Sequence, residues 1–186
     1  MKRVFLACTV FFLVMGCNST STETKSAAES ADAKPAESAP AVELPYKALY
    51  SSQWNQDVPD QDLLNVLNSY KSWENGDMNA LSATLGDSIQ FYAWDGYQYT
   101  GPKAALIERW GKFRDSLSAV KIEMDGWIKN HSIDKKTDII SVWYKETDTY
   151  KTGKIDSAYY QEDNMVANGK IVWYSQHRQE LKPKKN

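Results

Sequence analysis

The sequence predicts an α+β fold, in which helices pack across a strongly bent antiparallel sheet. Between residues 59 and 75, apolar side chains recur at spacings of three and four, as in an amphipathic helix. Beyond residue 120, segments rich in β-branched and aromatic residues are separated by turn signals, as in a series of strands. Helices that precede an antiparallel sheet indicate the α+β class.

Composition limits the protein classes to consider. The chain has 186 residues and a formal net charge of -2, so one domain of ordinary size is expected once the two ends are set aside. A near-neutral chain with both signs interspersed offers no basic surface for a nucleic acid, so no nucleic-acid partner is predicted. The 7 Trp and 11 Tyr residues suit either a large aromatic core or the walls of a ligand cavity.

Residues 1–17 read as a secretory signal, with two basic residues followed by an apolar run at 4–15 that is too short for a comfortable membrane span. The segment Leu13-Val14-Met15-Gly16-Cys17 resembles a bacterial lipobox. That resemblance implies cleavage before Cys17 and its lipidation, and hence an extracytoplasmic protein anchored in the cell envelope, in a leaflet that the sequence leaves open. Ordinary signal cleavage with a leftover thiol is the alternative.

The other cysteine, Cys8, lies inside this signal, so the mature chain is expected to have no disulfide and no cysteine-based metal site. Residues 18–45 are rich in Ser, Ala, Glu and Pro and are predicted to form a disordered tether. The folded domain is predicted at 46–182, and a basic tail follows at 183–186. The conformation of residues 46–56 is left open.

The first helix is predicted from Pro59 to Asn75, with Asp57 or Asp60 as its N-cap and Gly76 as its stop. Its apolar positions are Leu63, Val66, Leu67, Tyr70 and Trp73. These positions place one stripe of the helix against the sheet.

Asp77 is predicted to cap a short second helix, which Gly86-Asp87 breaks. A strand over 88–93, a turn at Asp95-Gly96 and a strand over 97–100 form a hairpin. Gly101-Pro102 then opens a third helix. The predicted apolar positions of that helix are Leu106, Ile107, Trp110, Phe113 and Leu117.

Four longer strands are predicted at 120–129, 139–150, 155–167 and 170–181, with a tight Asn168-Gly169 hairpin between the last two. In the last strand one face carries Val172, Tyr174 and Gln176, and the other carries Ile171, Trp173, Ser175 and His177. The pattern leaves open which face points inward.

This order of elements resembles the nuclear-transport-factor-2-like superfamily, in particular its SnoaL-like and ketosteroid-isomerase-like branch. The resemblance rests on four segments, Trp73 to Met78, Leu81 with Leu85-Gly86-Asp87, Thr100 to Leu106, and Asn168 to Ile171. It implies a cone, also called a cystatin-like or SnoaL-like α+β barrel, with a pocket at its open end. The fold hosts isomerases, cyclases, dehydratases and inactive proteins, so it does not decide the activity.

The isomerase branch uses an Asp base beside an oxyanion hole formed by a Tyr and a protonated Asp. The resemblance places the base near Tyr92-Ala93, where this chain has no carboxylate. It places the oxyanion Tyr at Ser69, one residue from Tyr70. The second acid falls near Gln161-Glu162, so Glu162 is the candidate there.

Other chemistry has fewer candidates. His177 could face the cavity and pair with Glu162 across neighbouring strands, or lie half-exposed at the sheet edge; His131 sits in a predicted turn. Neither histidine has a close His or Cys neighbour, so no metal site and no cofactor is predicted. The aromatic residues proposed to contact a ligand are Tyr92, Trp94, Trp110, Trp127, Tyr144 and Trp173.

The sequence therefore predicts a membrane-anchored, extracytoplasmic SnoaL-like domain that binds a small, largely apolar ligand. Whether it is an enzyme stays open. One alternative is an acid-base enzyme of the isomerase, cyclase or dehydratase type that uses Glu162, His177 or Tyr70. Another is a non-catalytic module that forms homodimers through its sheet. A pocket with convergent polar groups would favour the enzyme, and a closed, aromatic-filled cone would favour the module.

Overall fold

A curled, unclosed sheet of seven strands forms one layer of the molecule in the computed structural model, which describes residues 42–181. The strands are β1 (Trp54–Asn55), β2 (Leu85–Tyr92), β3 (Gln98–Pro102), β4 (Leu117–Ser132), β5 (Thr137–Tyr150), β6 (Ile155–Ala167) and β7 (Lys170–Glu180). Their spatial order is β1-β4-β5-β6-β7-β2-β3, so β1 and β3 are the two edges. The predicted α+β class and curved sheet are confirmed.

Three helices form the second layer, α1 (Asp60–Asn75), α2 (Met78–Thr84) and α3 (Lys103–Arg114). Gly76 ends α1 with φ of 73°, a left-handed conformation that glycine adopts without strain. The prediction that Asp57 or Asp60 caps α1 is wrong, because Pro59 stands at the N-cap and no side chain caps the helix. The Asp60 carboxylate instead pairs with the Lys129 ammonium at 2.8 Å, which ties the start of α1 to β4.

Asp77 caps α2 as predicted, since its carboxylate accepts a hydrogen bond of 2.9 Å from the Ala80 N–H. Gly86 does not break that helix but lies within β2. A Cβ at Gly86 would come within 3.1 Å of the Val172 side chain, so glycine permits the close approach of β2 and β7. Leu117, expected on α3, starts β4 instead, because the helix ends at Arg114.

The sheet is mixed, so the prediction of a wholly antiparallel sheet needs one correction. Strands β4 to β7 pair antiparallel in sequence order, and β2 pairs antiparallel with β3. Strand β2 also pairs with β7, and that pairing is parallel. Residues 46–56 contribute the short strand β1, whose Trp54 pairs with Ser132 at the far edge.

An irregularity at the start of β7 decides which of its side chains point inward. Val166 pairs with Ile171, but the preceding Met165 pairs with Trp173, so one residue of β7 is skipped. Beyond this bulge, Tyr174 and the alternate residues after it share the inner face with Ile171. Trp173, Ser175 and His177 therefore lie on the outer face.

The hydrophobic core lies between the helices and the inner face of the sheet. Its buried members are Val58, Val66, Tyr70, Leu85, Ile89, Phe91, Leu106, Ile140, Val142, Tyr144, Val166 and Ile171. They come from both layers, so the core holds α1 and α3 against the sheet. It fills only one end of the space between the layers, and the remainder is open.

Within residues 42–181, no helix is long and apolar enough to cross a membrane. The predicted signal at 1–17 with Cys17, most of the tether at 18–45 and the tail at 183–186 lie outside the described residues.

Candidate functional site

An open cavity of about 1160 Å³ lies between the inner face of the sheet and the helices α1 and α3. Its walls are rich in aromatic side chains from both layers: Tyr70, Trp73, Phe91, Trp94, Tyr97, Tyr99, Trp110, Phe113, Tyr144, Tyr150, Tyr160 and Tyr174. Several are held by one another, since the Phe91 and Tyr174 rings stack at 5.0 Å and Trp110 meets Phe91 edge-on at 5.4 Å. The walls are thus pre-formed and rich in aromatic rings.

Below one part of this cavity, the Glu162 carboxyl is fully buried, with 0% of the residue exposed. Its Oε2 accepts a hydrogen bond from the Tyr70 hydroxyl, and its Oε1 accepts from the Tyr144 hydroxyl and the Gln176 amide, each at 2.7 Å. The Asn164 amide donates to the Tyr70 oxygen at 2.9 Å. Both carboxyl oxygens are therefore occupied by donors from α1, β5 and β7.

Glu162 lies behind the cavity wall. Tyr70, Tyr144 and Gln176 line the cavity, whereas Glu162 does not. Burial raises the pKa of Glu162, and the hydrogen bonds from its neighbours act against that rise. The arrangement makes Glu162 a positioning residue that orients the hydroxyl groups in front of it.

Those hydroxyl groups are neutral. Burial raises the pKa of Tyr70 and of Tyr144 well above the ordinary value, and the nearby Glu162 charge raises both further. Because the Tyr70 and Tyr144 protons are donated to Glu162, each hydroxyl faces its surroundings as a hydrogen-bond acceptor.

A second pair of carboxyl groups, Glu146 and Asp148, lines the cavity directly. Both residues are 8% exposed, and they point inward on β5 in line with Tyr144. Burial raises the pKa of Glu146 well above its ordinary value, and the carboxyl groups of Asp148 and Glu162 raise it further. Burial also raises the pKa of Asp148, against the effect of a hydrogen bond from Glu146. The raised pKa of each acid favours a protonated carboxyl group at this pair.

Two basic side chains of the cavity lining each lie on an aromatic ring. The Arg178 guanidinium lies 4.7 Å from the centre of the Trp94 ring and forms an ion pair of 2.9 Å with Asp156. Arg109 lies 3.9 Å from the centre of the Tyr97 ring. These pairs place positive charge in the cavity lining beside the carboxyl groups.

The predicted ligand-contacting aromatics divide between two surfaces. Trp94, Trp110 and Tyr144 line the cavity. Tyr92 and Trp173 contact each other on the outer face of the sheet, with ring centres 6.1 Å apart. Trp127 lies on β4, 49% exposed and away from the cavity lining.

The predicted catalytic candidates are also divided. Glu162 and Tyr70 are joined by a hydrogen bond, and Ser69 lies beside them at the cavity wall. His177 is exposed on the outer face opposite Gln161, so it does not pair with Glu162. His131 hydrogen-bonds through Nδ1 to Asp138 at 2.6 Å in the paired strands β4 and β5 rather than in a turn. Within residues 42–181, no group of three or more His, Cys, Asp or Glu side chains could hold a metal ion.

Glu146, Asp148, Gln176 and Arg178 were not among the site residues predicted from the sequence. The signal for the two acids was the alternation in β5, where Ile140, Val142 and Tyr144 define the buried face. If this alternation is extended to residues 146 and 148, both carboxyl groups lie on the same buried face. Gln176 and Arg178 could not be assigned from alternation alone, because the bulge in β7 changes its phase.

We expect Tyr70→Phe to lower the free energy of unfolding by about 1.5–3 kcal/mol, because it removes a hydrogen bond to a buried carboxyl group. It also removes one of the two acceptors of the Asn164 amide, which donates to the Ile140 carbonyl oxygen at 3.3 Å as well. Tyr159→Phe is the matched control, since Tyr159 is 41% exposed, and it should change stability by less than about 0.5 kcal/mol. Urea unfolding of both variants measures this, and equal effects would contradict a stabilising Glu162 network.

We expect Glu146 to make stability depend on pH. Its pKa is raised in the folded state, so the stability from the neutral carboxyl is fully present below its ordinary value of 4.5 and is lost as pH rises through the folded pKa. Glu146→Gln mimics the neutral acid. The unfolding free energy of the unmodified chain relative to this variant should therefore fall with pH, by at most about 1.4 kcal/mol per pH unit.

The exposed Glu123 supplies the control, because Lys121 and Lys145 lower the pKa of its carboxyl instead. The same comparison made with Glu123→Gln should show no fall as pH rises. A pH-independent difference between the unmodified chain and Glu146→Gln would show that Glu146 is charged in the folded state.

No protein-family model and no curated protein sequence matches this chain. Solved structures do. The chain is similar to an LEH-like epoxide hydrolase of M. tuberculosis, with a TM-score of 0.54 and 10% identity over 64% of this chain and 84% of that one. It is also similar to a putative polyketide cyclase from Xanthomonas campestris pv. campestris, with a TM-score of 0.52 and 17% identity over 64% of this chain and 91% of that one.

A ketosteroid isomerase-like protein from Erwinia carotovora atroseptica matches with a TM-score of 0.53 and 17% identity, over 66% of this chain and 96% of that one. Identities this low show a common fold and carry no residue role from one protein to another. The described domain has the nuclear-transport-factor-2-like fold, shared by SnoaL-like and ketosteroid isomerase-like proteins.

Proposed function

We propose that the domain binds a small, largely apolar molecule in the cavity between its helices and its sheet. The observation that carries this proposal is the open, aromatic-lined space of about 1160 Å³, which slightly exceeds the usual size range of small-molecule sites. Its walls are pre-formed by ring-on-ring contacts, so little side-chain ordering opposes binding. An assembly module would have no need for such a space, so the cavity supports ligand binding over the homodimer alternative.

An acid-base enzyme is the second candidate, and the Glu146–Asp148 pair favours it. A carboxyl group whose pKa is raised by burial and a neighbour that accepts a proton can act as acid and base on a bound molecule. The fold supports such chemistry elsewhere, since its solved relatives include an epoxide hydrolase and a putative polyketide cyclase.

The steroid-isomerase arrangement itself is not supported. The position expected for its base is Tyr92-Ala93, where Tyr92 points to the outer face and Ala93 has no acid group. Glu162 lies behind the tyrosines and cannot touch a ligand without their displacement. Glu146 and Asp148 are therefore the buried acids that line the cavity and could perform acid-base chemistry there.

We also propose that Cys17 is lipidated and holds the domain on a membrane of the cell envelope. The support is the sequence Leu13 to Cys17 after an apolar run and the polar tether that follows it. Acylation at Cys17 adds about 0.8 kcal/mol of membrane affinity for each buried methylene.

The lipidation proposal is tested by expressing the chain and its Cys17→Ser variant in a bacterial host. We expect the unmodified chain to fractionate with membranes and to carry the mass of an acylated N-terminal cysteine. The variant should lose both properties. Recovery of unacylated Cys17 chain in the soluble fraction would contradict the proposal and support ordinary signal cleavage.

Ligand binding is tested by a thermal-shift screen of the full chain against flat apolar molecules, followed by calorimetry on the hits. A ligand at about 100 times its dissociation constant adds about 2.7 kcal/mol to the stability of the folded state. We expect Trp110→Ala, in the cavity wall, to weaken binding by about tenfold or more, and Trp143→Ala, on the outer face, to leave it unchanged. A folded chain that binds none of the molecules, or two variants with equal effects, would overturn the proposal.

A further inference from the structure

Two buried carboxyl groups in the cavity wall form no ion pair with a basic side chain of the described residues, although the more distant charges of Arg114 and Arg178 lower the pKa of Asp148. Within residues 42–181, no Lys or Arg nitrogen lies within 4.0 Å of the Glu146 or Asp148 carboxyl oxygens. Both residues are 8% exposed. Buried carboxylates are ordinarily paired with a positive group, and an unpaired one is costly.

The hydrogen-bonding of the pair is incomplete as well. The Oδ1 atom of Asp148 is buried and accepts no hydrogen bond from an N–H or O–H group within residues 42–181. Buried carboxylate oxygens without a donor are rare, and each calls for an explanation. The Trp73 side chain reaches the Glu146 carboxyl, but among the described residues only a protonated Glu146 lies beside Asp148 as a donor.

The nearest basic side chains are already engaged. Arg114 donates from Nε to the Trp73 carbonyl at 3.1 Å and from Nη2 to the Glu74 carbonyl at 3.0 Å. Arg178 binds Asp156 at 2.9 Å and, through its Nε, the Tyr160 hydroxyl at 3.1 Å. Neither arginine can turn to the acid pair without giving up these contacts.

Aromatic rings surround the pair on the helix side. The Trp73 side chain reaches Glu146, its ring stacks on Phe113 at 6.1 Å, and Phe113 meets the Tyr150 ring edge-on at 6.4 Å. Ring faces attract cations, more strongly where water is excluded. The chain already uses this attraction at the cavity mouth, where Lys154 lies 5.3 Å from the centre of the Tyr150 ring.

The whole lining is also acidic on balance, with six Asp and Glu side chains against four Lys and Arg. Three of the six acids form ion pairs within the lining, Glu108 with Lys112 and both Asp156 and Glu180 with Arg178. Glu146 and Asp148 are the buried acids of the lining that form none. The acids without an ion-pair partner therefore include the buried pair.

We propose that the ligand of this cavity is an amphipathic organic amine, whose protonated nitrogen binds at Glu146 and Asp148 while its apolar body fills the aromatic cavity. This inference rests on the proposed function and adds the charge of the ligand to it. The ammonium group supplies both the missing positive charge and the missing N–H donor. On binding it replaces the proton held at this pair of carboxyl groups, and that proton passes to solvent.

The test is calorimetric titration of the full chain with three matched series of compounds that share the same aromatic ring systems, such as indole, naphthalene and a fused tetracycle. Each body carries an ethylamine, an ethanol or a propionate side chain. We expect each amine that binds to do so at least about tenfold more tightly than the alcohol and carboxylate on the same body. Titration of the amine in two buffers of different ionisation enthalpy should reveal release of protons.

Two variants test whether the preference for amines and the release of protons arise at Glu146 and Asp148. Glu146→Gln retains a donor toward Asp148 but removes one charge, and Asp148→Asn removes the other. Each should abolish the preference for amines, and Glu146→Gln should also abolish proton release. Asp125→Asn, an exposed acid on β4, is the control and should change neither. If one variant fails to fold, the other decides the result.

The outcomes separate the two proposals. Alcohols or carboxylates that bind as tightly as the amines would overturn the amine inference while leaving the cavity as a ligand site. A preference for amines that survives both Glu146→Gln and Asp148→Asn would place the ammonium elsewhere and overturn the inference too. A folded chain that binds no member of any series would overturn both proposals.

Discussion

The buried carboxyl group of Glu162 is the constraint on which the arrangement of the two layers depends. It is stabilised only if donors from α1, β5 and β7 all reach it, as the Tyr70, Tyr144 and Gln176 contacts of 2.7 Å do. A shift of α1 along the sheet, or of β7 by one residue, would remove a donor and leave a buried charge without its partner. The network therefore determines the position of the helix on the sheet as well as the polarity beneath the cavity.

This network also explains why the family resemblance does not carry an activity with it. The acid at the position of Glu162 is covered by tyrosines, and the position of the expected base holds no carboxylate. The acids that do reach the cavity, Glu146 and Asp148, lie farther along β5 toward the mouth. In this chain the acids that reach the cavity therefore lie at a different depth from the acid at the position of Glu162. Their depth determines how much of a bound molecule lies above and below them.

Local signals in the sequence predicted the elements well. Gly76 ends α1, Asp77 caps α2, and Asn168-Gly169 turns the chain with both residues at positive φ, because each depends on neighbours only a few residues away. The predicted N-cap of α1 was wrong because of a tertiary contact, since the Asp60 carboxylate pairs with Lys129 in the distant strand β4.

The errors in the site have the same origin. The alternation of residues in β7 defines two faces but does not show which face points inward. The bulge before Trp173 also shifts the inward-outward alternation between Ile171 and Tyr174. Polar residues in a strand are ordinarily assigned to solvent, so Glu146 and Asp148 were passed over although they continue the buried face of β5. The parallel pairing of β2 with β7 joins segments about 80 residues apart and has no local signal.

That parallel pairing has a consequence for the order in which the molecule can assemble. Within residues 42–181, the hairpin of β2 and β3 reaches the rest of the sheet only through β7, the last of the described strands. During synthesis the early hairpin must therefore wait, with one edge unpaired, until β7 has emerged. Assembly that depends on such distant contacts is slow and exposes strand edges to other chains meanwhile. A chain that ended before residue 170 would leave the hairpin without a neighbour and β6 with an open edge.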